Sequence, residues 1–393
     1  MLNANNNILV FSSCYGCGVC SAICPKHTIS LQLNKDGFWQ PMIAEKEDCI
    51  NCGRCLDVCA FSDLDLYPQQ AIKGFATWSK DLQVRKKASS GGTGFEIAKF
   101  HIEMGYKGVG VKYNPEKQQA EHFIADNVKA YIQSIGSKYI QSNTQNAFAQ
   151  LKKGEKYVIT GTPCQIASLR KYIRKRKMED DVLLIDFFCH GVPSMNVWTK
   201  YLVEIERKIG KVTYASWRNK EAGWHDSWAI SLDSQKVRTT IDWHDSYEML
   251  IRGKKGCYVK KKSDGDLFYK FFLGDFCFNR VCYKCPFKCE NSAADIRIGD
   301  LWGSKYESNE EGVTGVLVYN ERGEAALTNS NVEAIIEDIS VVTEGQQQSN
   351  MSMPKYYALI MYLLRSTLSL NVVFQLSKIL RIGTIMKYKF ANK

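Results

Sequence analysis

Short apolar runs alternate with helical patterns from about residue 74 onwards. Residues 156–176 read as an apolar strand, a tight turn and a helix, and residues 181–194 read as a second buried strand followed by a turn. Residues 195–210 then carry apolar positions at helical spacing. This order of elements predicts an α/β body around a mainly buried sheet, with functional loops at the ends of its strands.

Two cysteine motifs precede this body, both spaced C-x2-C-x2-C-x3-C, and they flank a hairpin predicted over residues 28–43. This is the spacing of bacterial ferredoxins that hold two [4Fe–4S] clusters. Three thiolates on a curled loop reach one cluster, whereas the fourth begins a short helix that points to the other cluster. We predict that one cluster is bound by Cys14, Cys17, Cys20 and Cys59, and the other by Cys49, Cys52, Cys55 and Cys24.

Zinc is the alternative occupant of these motifs, because thiolates at this spacing also bind zinc. Zinc sites rarely use two tandem runs of four cysteines with three-residue final gaps, so the spacing favours iron–sulfur clusters.

Composition favours metal or redox chemistry over a disulfide framework. The chain has 15 cysteines, and it begins without the charged and apolar segments of a signal peptide. No stretch approaches the roughly 18 apolar residues of a membrane span. Because thiols in the cytoplasm are kept reduced, we predict a cytoplasmic protein with no transmembrane segment, whose thiols bind metal.

Charge is spread unevenly along the chain. Residues 1–72 carry a net charge of −3, and the remainder carries +14. An acidic head on a basic body is compatible with docking between the two, with anionic ligands, or with a solvated surface. The basic run at 170–177 lacks the aromatic platforms or motif that a nucleic-acid site would need, so we predict no nucleic-acid partner.

Four further cysteines form a candidate third site. Cys164 and Cys189 each follow an apolar strand, so we expect them at the same edge of the sheet. With Cys282 and Cys285 they supply four thiolates for a third iron–sulfur cluster. Cys277 is a competing ligand, and zinc is an alternative occupant.

Residues 88–94 place small residues at the start of a predicted helix, where exposed amides and the helix dipole favour a phosphate. The segment lacks the spacing of a dinucleotide fingerprint, so a plain helix cap is the alternative. The tryptophan-rich strands at 212–243 are either core or the lining for a planar ring, with Arg218 and Lys220 meeting acidic groups. Asp300 either binds a ring or ribose hydroxyl or caps a helix.

Six short segments in this order carry a resemblance to a known family: KASSGG (87–92), GSKYIQS (136–142), TGTPCQIASLR (160–170), CHGVPS (189–194), CYKCPFK (282–288) and ADIRIGDLWG (294–303). Together they resemble the coenzyme F420 hydrogenase/dehydrogenase beta-subunit family. The resemblance implies an iron–sulfur flavoprotein that binds FAD and passes electrons between clusters, flavin and a second substrate, often the deazaflavin F420. Similar proteins occur in bacteria that lack F420, so the substrate stays open.

The resemblance also implies roles for individual residues. Flavin phosphates would be held at the glycine-rich segment, other residues would line the cofactor, and the four later cysteines would bind the third cluster. The phosphate-binding residues would be Ser89, Ser90, Gly91 and Gly92. The residues lining the cofactor would be Lys138, Gly161 and Thr162. The ligands of the third cluster would be Cys164, Cys189, Cys282 and Cys285.

We therefore predict an α+β protein with a small bacterial ferredoxin-like domain at 1–72, a larger α/β flavin-binding domain at 73–310 and a mostly helical C-terminal extension at 311–393. The predicted function is that of an oxidoreductase with two [4Fe–4S] clusters, FAD and a possible third cluster. The alternative is a non-catalytic electron-transfer subunit of a larger redox complex. The expected partner is a redox protein or a small-molecule electron donor or acceptor. The sequence identifies neither a catalytic acid or base nor an oligomeric state.

Overall fold

The structure is a computed structural model of the 393-residue chain, and it describes residues 6–45, 48–62, 70–220, 223–234 and 257–391. The N-terminal head, residues 6–62, consists of the predicted hairpin between two short helices. Its strands β1 and β2 pair antiparallel around a turn at Gly37, where φ is +78°. The bounds are β1 (Ile29–Leu33), β2 (Trp39–Ile43), α1 (Val19–Ile23) and α2 (Arg54–Asp57).

Each helix of the head begins directly after a glycine in the left-handed region. Gly18 has a φ of +74° and Gly53 a φ of +73°, a conformation that glycine adopts without steric cost. The third cysteine of each motif, Cys20 or Cys55, lies inside the helix that follows. The glycines therefore turn each cysteine loop back towards its own helix.

The body of the chain is built mainly from β-strands that alternate with helices up to Ile209. Its strands are β3 (Lys73–Ser79), β4 (Lys107–Asn114), β5 (Gln119–Ala125), β6 (Ser142–Asn143), β7 (Tyr157–Thr160), β8 (Val182–Phe187), β9 (Tyr214–Ser216), β10 (Ala229–Asp233), β11 (Cys257–Lys261), β12 (Ile296–Asp300), β13 (Thr314–Val318) and β14 (Val332–Glu337).

Nine of these strands form one mixed sheet in the order β14-β3-β13-β12-β8-β7-β4-β5-β6, and three form a small sheet in the order β11-β10-β9. The central strands β4, β7, β8 and β12 run parallel. Strands β7 and β8 are buried along most of their length, as the continuous apolar runs predicted. The predicted α/β character of the body is confirmed.

Helices cover the sheet, and several begin at the positions that the sequence indicated. Helix α8 starts after Ser194, whose side chain accepts a hydrogen bond from the amide of Asn196, and α7 has a proline at its first position. The later helices are α3 (Leu82–Lys87), α4 (Thr93–Glu103), α5 (Val128–Tyr131), α6 (Gln145–Phe148), α7 (Pro163–Arg176) and α8 (Met195–Ile209), followed by Leu267–Phe272, Glu321–Thr328, Ile339–Thr343, Tyr357–Arg365 and Leu370–Ala391.

The C-terminal segment adds two strands that the sequence analysis did not predict. Strands β13 and β14 both pair antiparallel with β3, so residues 314–337 lie in the same sheet as residues 73–79. The remaining C-terminal elements are helices, as predicted. Trp243, at the end of the predicted tryptophan-rich strands, lies outside the described residues.

One edge of the sheet collects the loops of interest. The parallel strands β7, β8 and β12 end there, at Thr160, Phe187 and Asp300. Strand β13 pairs antiparallel with β12 and therefore begins at this edge. Strand β3 pairs antiparallel with β13 and therefore ends there. We call it the carboxyl edge. In open α/β sheets ligands bind outside this edge.

Within the described residues, no helix has the length and apolar composition of a membrane span.

Candidate metal centres

The first site consists of the thiols of Cys14, Cys17, Cys20 and Cys59, which the structure brings together as predicted. Burial raises the pKa of Cys14 to about 12, and the neighbouring Cys17 and Cys59 add to this rise. Burial also raises the pKa of Cys20, and Cys17, Cys14, Cys59 and Cys55 add to this rise. Like charges raise one another's pKa only at short range, so these thiols converge on one place. Their role as ligands stays a prediction.

The second site consists of Cys24, Cys49, Cys52 and Cys55, which line one cavity of the head together with Asn7 and Gly53. Cys52 is exposed, so this site opens to solvent, whereas three of the four thiols of the first site are buried. Cys20 and Cys55 are close enough to interact, which places the two sites side by side. The fourth cysteine of each motif thus lies with the other motif, as the ferredoxin spacing predicted.

The third site consists of Cys164, Cys189, Cys282 and Cys285 at the carboxyl edge. Cys164 is the second residue of α7 and Cys189 follows β8, so the expectation that both lie at one edge is confirmed. Burial raises the pKa of Cys164 well above its ordinary value, and Cys285, Cys189 and Cys282 contribute. The thiols of all four cysteines therefore lie close together.

Three other side chains near the third site, those of Cys277, Cys289 and His190, have different surroundings. Cys277 is fully buried in the core, where burial raises its pKa to about 12 and Asp275 is the neighbouring charge. Cys289 donates a hydrogen bond to Gln348. His190 pairs with Asp275 at 2.9 Å between Nε2 and Oδ1. Cys277 therefore lies in the core, and its role as the competing ligand stays a prediction.

A site for a single metal ion has a different geometry from a site for an iron–sulfur cluster. Among the described residues, no group of three or more His, Cys, Asp or Glu side chains is placed to hold one metal ion. A cubane cluster offers each cysteine a separate iron at its own corner.

Two cations lie beside the third site, and sequence reasoning missed both. The ammonium group of Lys288 donates to the carbonyls of Cys189 and His190, at 2.8 Å each. Burial raises the pKa of Cys189 to about 11, and Lys288 opposes this rise. Arg297 acts in the same direction, and its guanidinium binds Asp186 through two contacts of 2.7 Å. The sequence signal that could have placed Lys288 beside the third site was its position three residues after Cys285.

Helix α7 joins the third site to the head through one face. Ser168 lies one turn after Cys164 and accepts a hydrogen bond from the amide of Ala60 at 3.2 Å. Its hydroxyl also lies near the thiol of Cys17 and lowers the pKa of that thiol. Lys171 donates to the carbonyl of Cys59 at 2.9 Å. Further along, Lys175 pairs with Asp57 at 2.8 Å. Two cations of the basic run thus contact the acidic head.

Three more side chains of the body hold the backbone of the cysteine loops. Asn279 donates to the carbonyl of Cys14, Gln141 to that of Tyr15, and Thr144 to that of Cys17, each at 2.9 Å. The loops of the first site are therefore fixed from the body side.

The glycine loop, residues 88–92, lies at the carboxyl edge beside β3 and β13. Gly92 caps α4 with a φ of +91°, as a helix-capping glycine does. The amide of Gly91 donates to Thr314 Oγ1, and the hydroxyl of Ser90 donates to the carbonyl of Val313. A Cβ at Gly91 would overlap the carbonyl oxygen of Thr77, so close packing accounts for this glycine without a ligand.

The other predicted flavin residues lie in loops that meet this edge. Ser89 Oγ accepts a hydrogen bond from the amide of Ser137, which brings the loop of Lys138 to the glycine loop. Lys138 donates to three backbone carbonyls at 3.0 Å, and burial lowers its pKa to about 7. Gly161 and Thr162 lie directly after β7, beside the third site. The structure thus gathers all these residues along one edge, and their binding of flavin stays a prediction.

Arg218 ties the small sheet to the glycine loop. Its guanidinium donates to Asp300 at 3.0 Å, to the hydroxyl of Tyr139, and to the carbonyl of Ser89, and it lies 4.5 Å from the ring centroid of Trp228. Arg218 thus meets the carboxylate of Asp300, within the protein itself. Asp300 ends β12 and does not cap a helix, so that alternative was wrong.

Lys220 holds the same loop from a neighbouring position. Its ammonium group donates to the carbonyls of Arg85, Ser90 and Glu311. Burial lowers its pKa to about 7. The acidic groups expected around Lys220 are thus replaced mainly by backbone carbonyls.

Two family descriptions match the chain. Residues 154–342 match the C-terminal part of the beta subunit of coenzyme F420 hydrogenase/dehydrogenase, and residues 13–63 match a 4Fe-4S dicluster domain. No curated protein matches the chain. A solved structure described as a xenon derivative of the F420-reducing NiFe hydrogenase complex from Methanosarcina barkeri contains a chain that is 14% identical, with a TM-score of 0.45. The alignment covers 81% of this chain and 92% of that one.

Proposed function

We propose that the chain, whose residues 154–342 match the C-terminal part of the coenzyme F420 hydrogenase/dehydrogenase beta subunit, is an iron–sulfur flavoprotein oxidoreductase. Electrons pass between the dicluster head and FAD, and on to a small organic substrate of the F420 type or another kind. A bound flavin joins one-electron cluster chemistry to two-electron hydride chemistry. A redox protein or a small-molecule carrier supplies or removes the electrons at the head.

One observation supports this proposal above the others: three groups of four thiols and the glycine loop follow one another through the molecule. The second site lies beside the first, α7 joins the first to the third, and the third shares the carboxyl edge with residues 88–92. Electron transfer requires such a series of closely spaced centres. In this arrangement Lys288 and Arg297 stabilise negative charge on the third site.

If FAD binds at the carboxyl edge, Ser89, Ser90, Gly91 and Gly92 would hold its phosphates. Their fit rests on the start of α4, an 11-residue helix whose first turn faces the glycine loop. The side chains of Lys138 and Arg218 order the surrounding loops by hydrogen bonds to backbone and to Asp300.

A non-catalytic electron-transfer subunit is the second candidate function. It is favoured by the fact that Arg218 and Asp300 bind each other, and that Lys138 and Lys220 donate to backbone carbonyls. These polar groups already have protein partners. In that case the substrate site belongs to a partner protein.

Oxygen-free purification with iron, sulfide, zinc and flavin analysis tests the proposal. We expect about twelve irons and one flavin per chain, whereas about eight irons without flavin would contradict the third cluster and the enzyme. Reduction of an artificial dye by the isolated chain separates the enzyme from the electron-transfer subunit.

Serine variants test the ligand assignment. Cys20→Ser and Cys59→Ser should remove the same cluster signal, although the two residues belong to different motifs. Cys24→Ser should remove the other signal. Cys289→Ser is the matched control, because this thiol bonds Gln348 outside the three sites, and its iron content should stay unchanged. Loss of one signal by Cys20→Ser and of the other by Cys59→Ser would contradict the assignment.

A further inference from the structure

Tyr15 lies between the first and the third site. Its ring stacks on that of Phe61, with centroids 4.2 Å apart and 21° between the planes. Tyr15 directly follows the first cysteine of the first site, and Phe61 lies two residues after the last one. On the other side, the ring centroid of Phe287 lies 6.0 Å from that of Tyr15, and Phe287 lies two residues after Cys285. A short series of rings thus spans the two sites.

The side chain of Tyr15 is buried among apolar residues. The ring is 8% exposed and packs in one apolar cluster with Ala60, Ala167 and Phe287, against which three thiols of the third site also pack. Because Tyr15 also directly follows Cys14, this single buried side chain lies beside both sites.

We propose that Tyr15 and Phe61 form the contact through which an electron passes between the first and the third site. The inference rests on the proposed function, because all three sites must hold iron–sulfur clusters. One electron leaves the first site and one arrives at the third, so one is oxidised as the other is reduced, and no proton moves and no bond breaks. Closely packed aromatic atoms fill the gap that water would otherwise occupy.

The order of the sites follows from this contact. The second site opens to solvent at Cys52, and it neighbours the first site through Cys55 and Cys20. The first site is enclosed by the body and contacts the third through Tyr15. Electrons from an external reductant therefore move from the second site to the first and then to the third.

The test follows each cluster separately after rapid reduction. The full-length protein is mixed with methyl viologen radical and frozen at increasing times, and electron paramagnetic resonance reports which cluster is reduced. Tyr15→Leu replaces the ring by a smaller side chain and leaves a gap. We expect reduction of the third site to slow roughly tenfold, about 1.4 kcal/mol of activation free energy, while reduction of the first site keeps its rate.

Two control variants separate electron transfer from packing. Tyr15→Phe keeps the ring and should keep the rate. Phe11→Leu removes a ring that also packs on Phe61, with centroids 6.0 Å apart, but that packs against the apolar cluster of Cys17 and Cys55 and not against the cluster that contains Tyr15. It too should keep the rate. An unchanged rate in Tyr15→Leu, or an equal loss in Phe11→Leu, would overturn the inference.

Failure of the inference is distinguishable from failure of the proposed function. A third site that binds no iron in the unmodified protein is detected by iron analysis, and it overturns both. A protein with three clusters whose rates ignore Tyr15 overturns the inference alone. If Tyr15→Leu loses iron, Phe61→Leu measures the same contact from its other ring, and an unchanged rate there would also overturn it.

Discussion

Replacing Ser168 by alanine should lower the reduction potential of the first site. The Ser168 side chain is fully buried on α7, and its hydroxyl lies near the thiol of Cys17 and lowers the pKa of that thiol. Hydrogen bonds to cluster sulfurs stabilise the more negative, reduced state, so their removal makes reduction harder. A hydrogen bond to a charged group contributes about 1.5–3 kcal/mol.

Only the difference between the oxidised and reduced states changes the potential. If about half of a hydrogen-bond energy of about 1.5 kcal/mol is lost from this difference, the reduction potential falls by about 0.8 kcal/mol, or roughly 35 mV for a one-electron couple. Ser168→Ala also leaves the buried amide of Ala60 without its acceptor, which costs about 1–3 kcal/mol of head docking. The stability and the potential should therefore fall together.

The assay is a redox titration of the purified full chain, followed by electron paramagnetic resonance. Ser62→Ala is the matched control, because its hydroxyl donates to the carbonyls of Leu56 and Cys59 and not to a thiol. Its potential should stay unchanged. An unchanged potential in Ser168→Ala at full iron content would refute the assignment of this hydroxyl to the first site. A shift of equal size in Ser62→Ala would refute it as well.

Three further changes have defined outcomes. Gly91→Ala should destabilise the protein by about 1–3 kcal/mol and lower its flavin content, because the added Cβ overlaps the carbonyl of Thr77; a full flavin-to-protein ratio would contradict the glycine-loop proposal. Arg297→Met should cost about 3–5 kcal/mol in chemical unfolding, because it strands the buried charge of Asp186, and adding Asp186→Asn should recover part of that loss. Burial lowers the pKa of His122 to about 4, below that of the unfolded chain, so the unfolded state binds the proton first as the pH falls. The free energy of unfolding should therefore fall by up to about 3 kcal/mol between pH 6.5 and pH 4. In thermal unfolding at these two pH values, His122→Gln should lose less stability than the unmodified protein, by about this amount.

The grouping of cysteines could be predicted from the sequence because it depends on local geometry. The spacing within each motif sets which thiols curl together, and it also sends the fourth thiol to the other site. The third site could be predicted in part, since Cys164 and Cys189 follow neighbouring apolar runs that end at one edge of a parallel sheet. That Cys277 stays apart, in the core, depends on side-chain packing that spacing does not encode.

The contacts of the head could not be predicted, because they join residues about a hundred positions apart. Ser168 and Ala60 are one such pair, and nothing in their local sequences indicates the register between α7 and the head. Strand β14 escaped prediction for a different reason. It is an edge strand in which Ile335 and Ile336 are both exposed, so its apolar residues do not alternate. Strand β13 is a short apolar run, which periodicity alone does not distinguish from a buried helix segment.

The interface between head and body explains why the head is a fixed part of the molecule. Body side chains donate to the backbone carbonyls of Cys14, Cys17 and Cys59, three cysteines of the first site, and each donor comes from a different body element. An apolar interface alone would tolerate sliding, whereas directed hydrogen bonds fix both distance and orientation. The charge difference between an acidic head and a basic body adds Lys175–Asp57, an exposed pair that contributes little to stability. The position of the first site relative to the third is therefore set by buried hydrogen bonds, and it should be insensitive to salt.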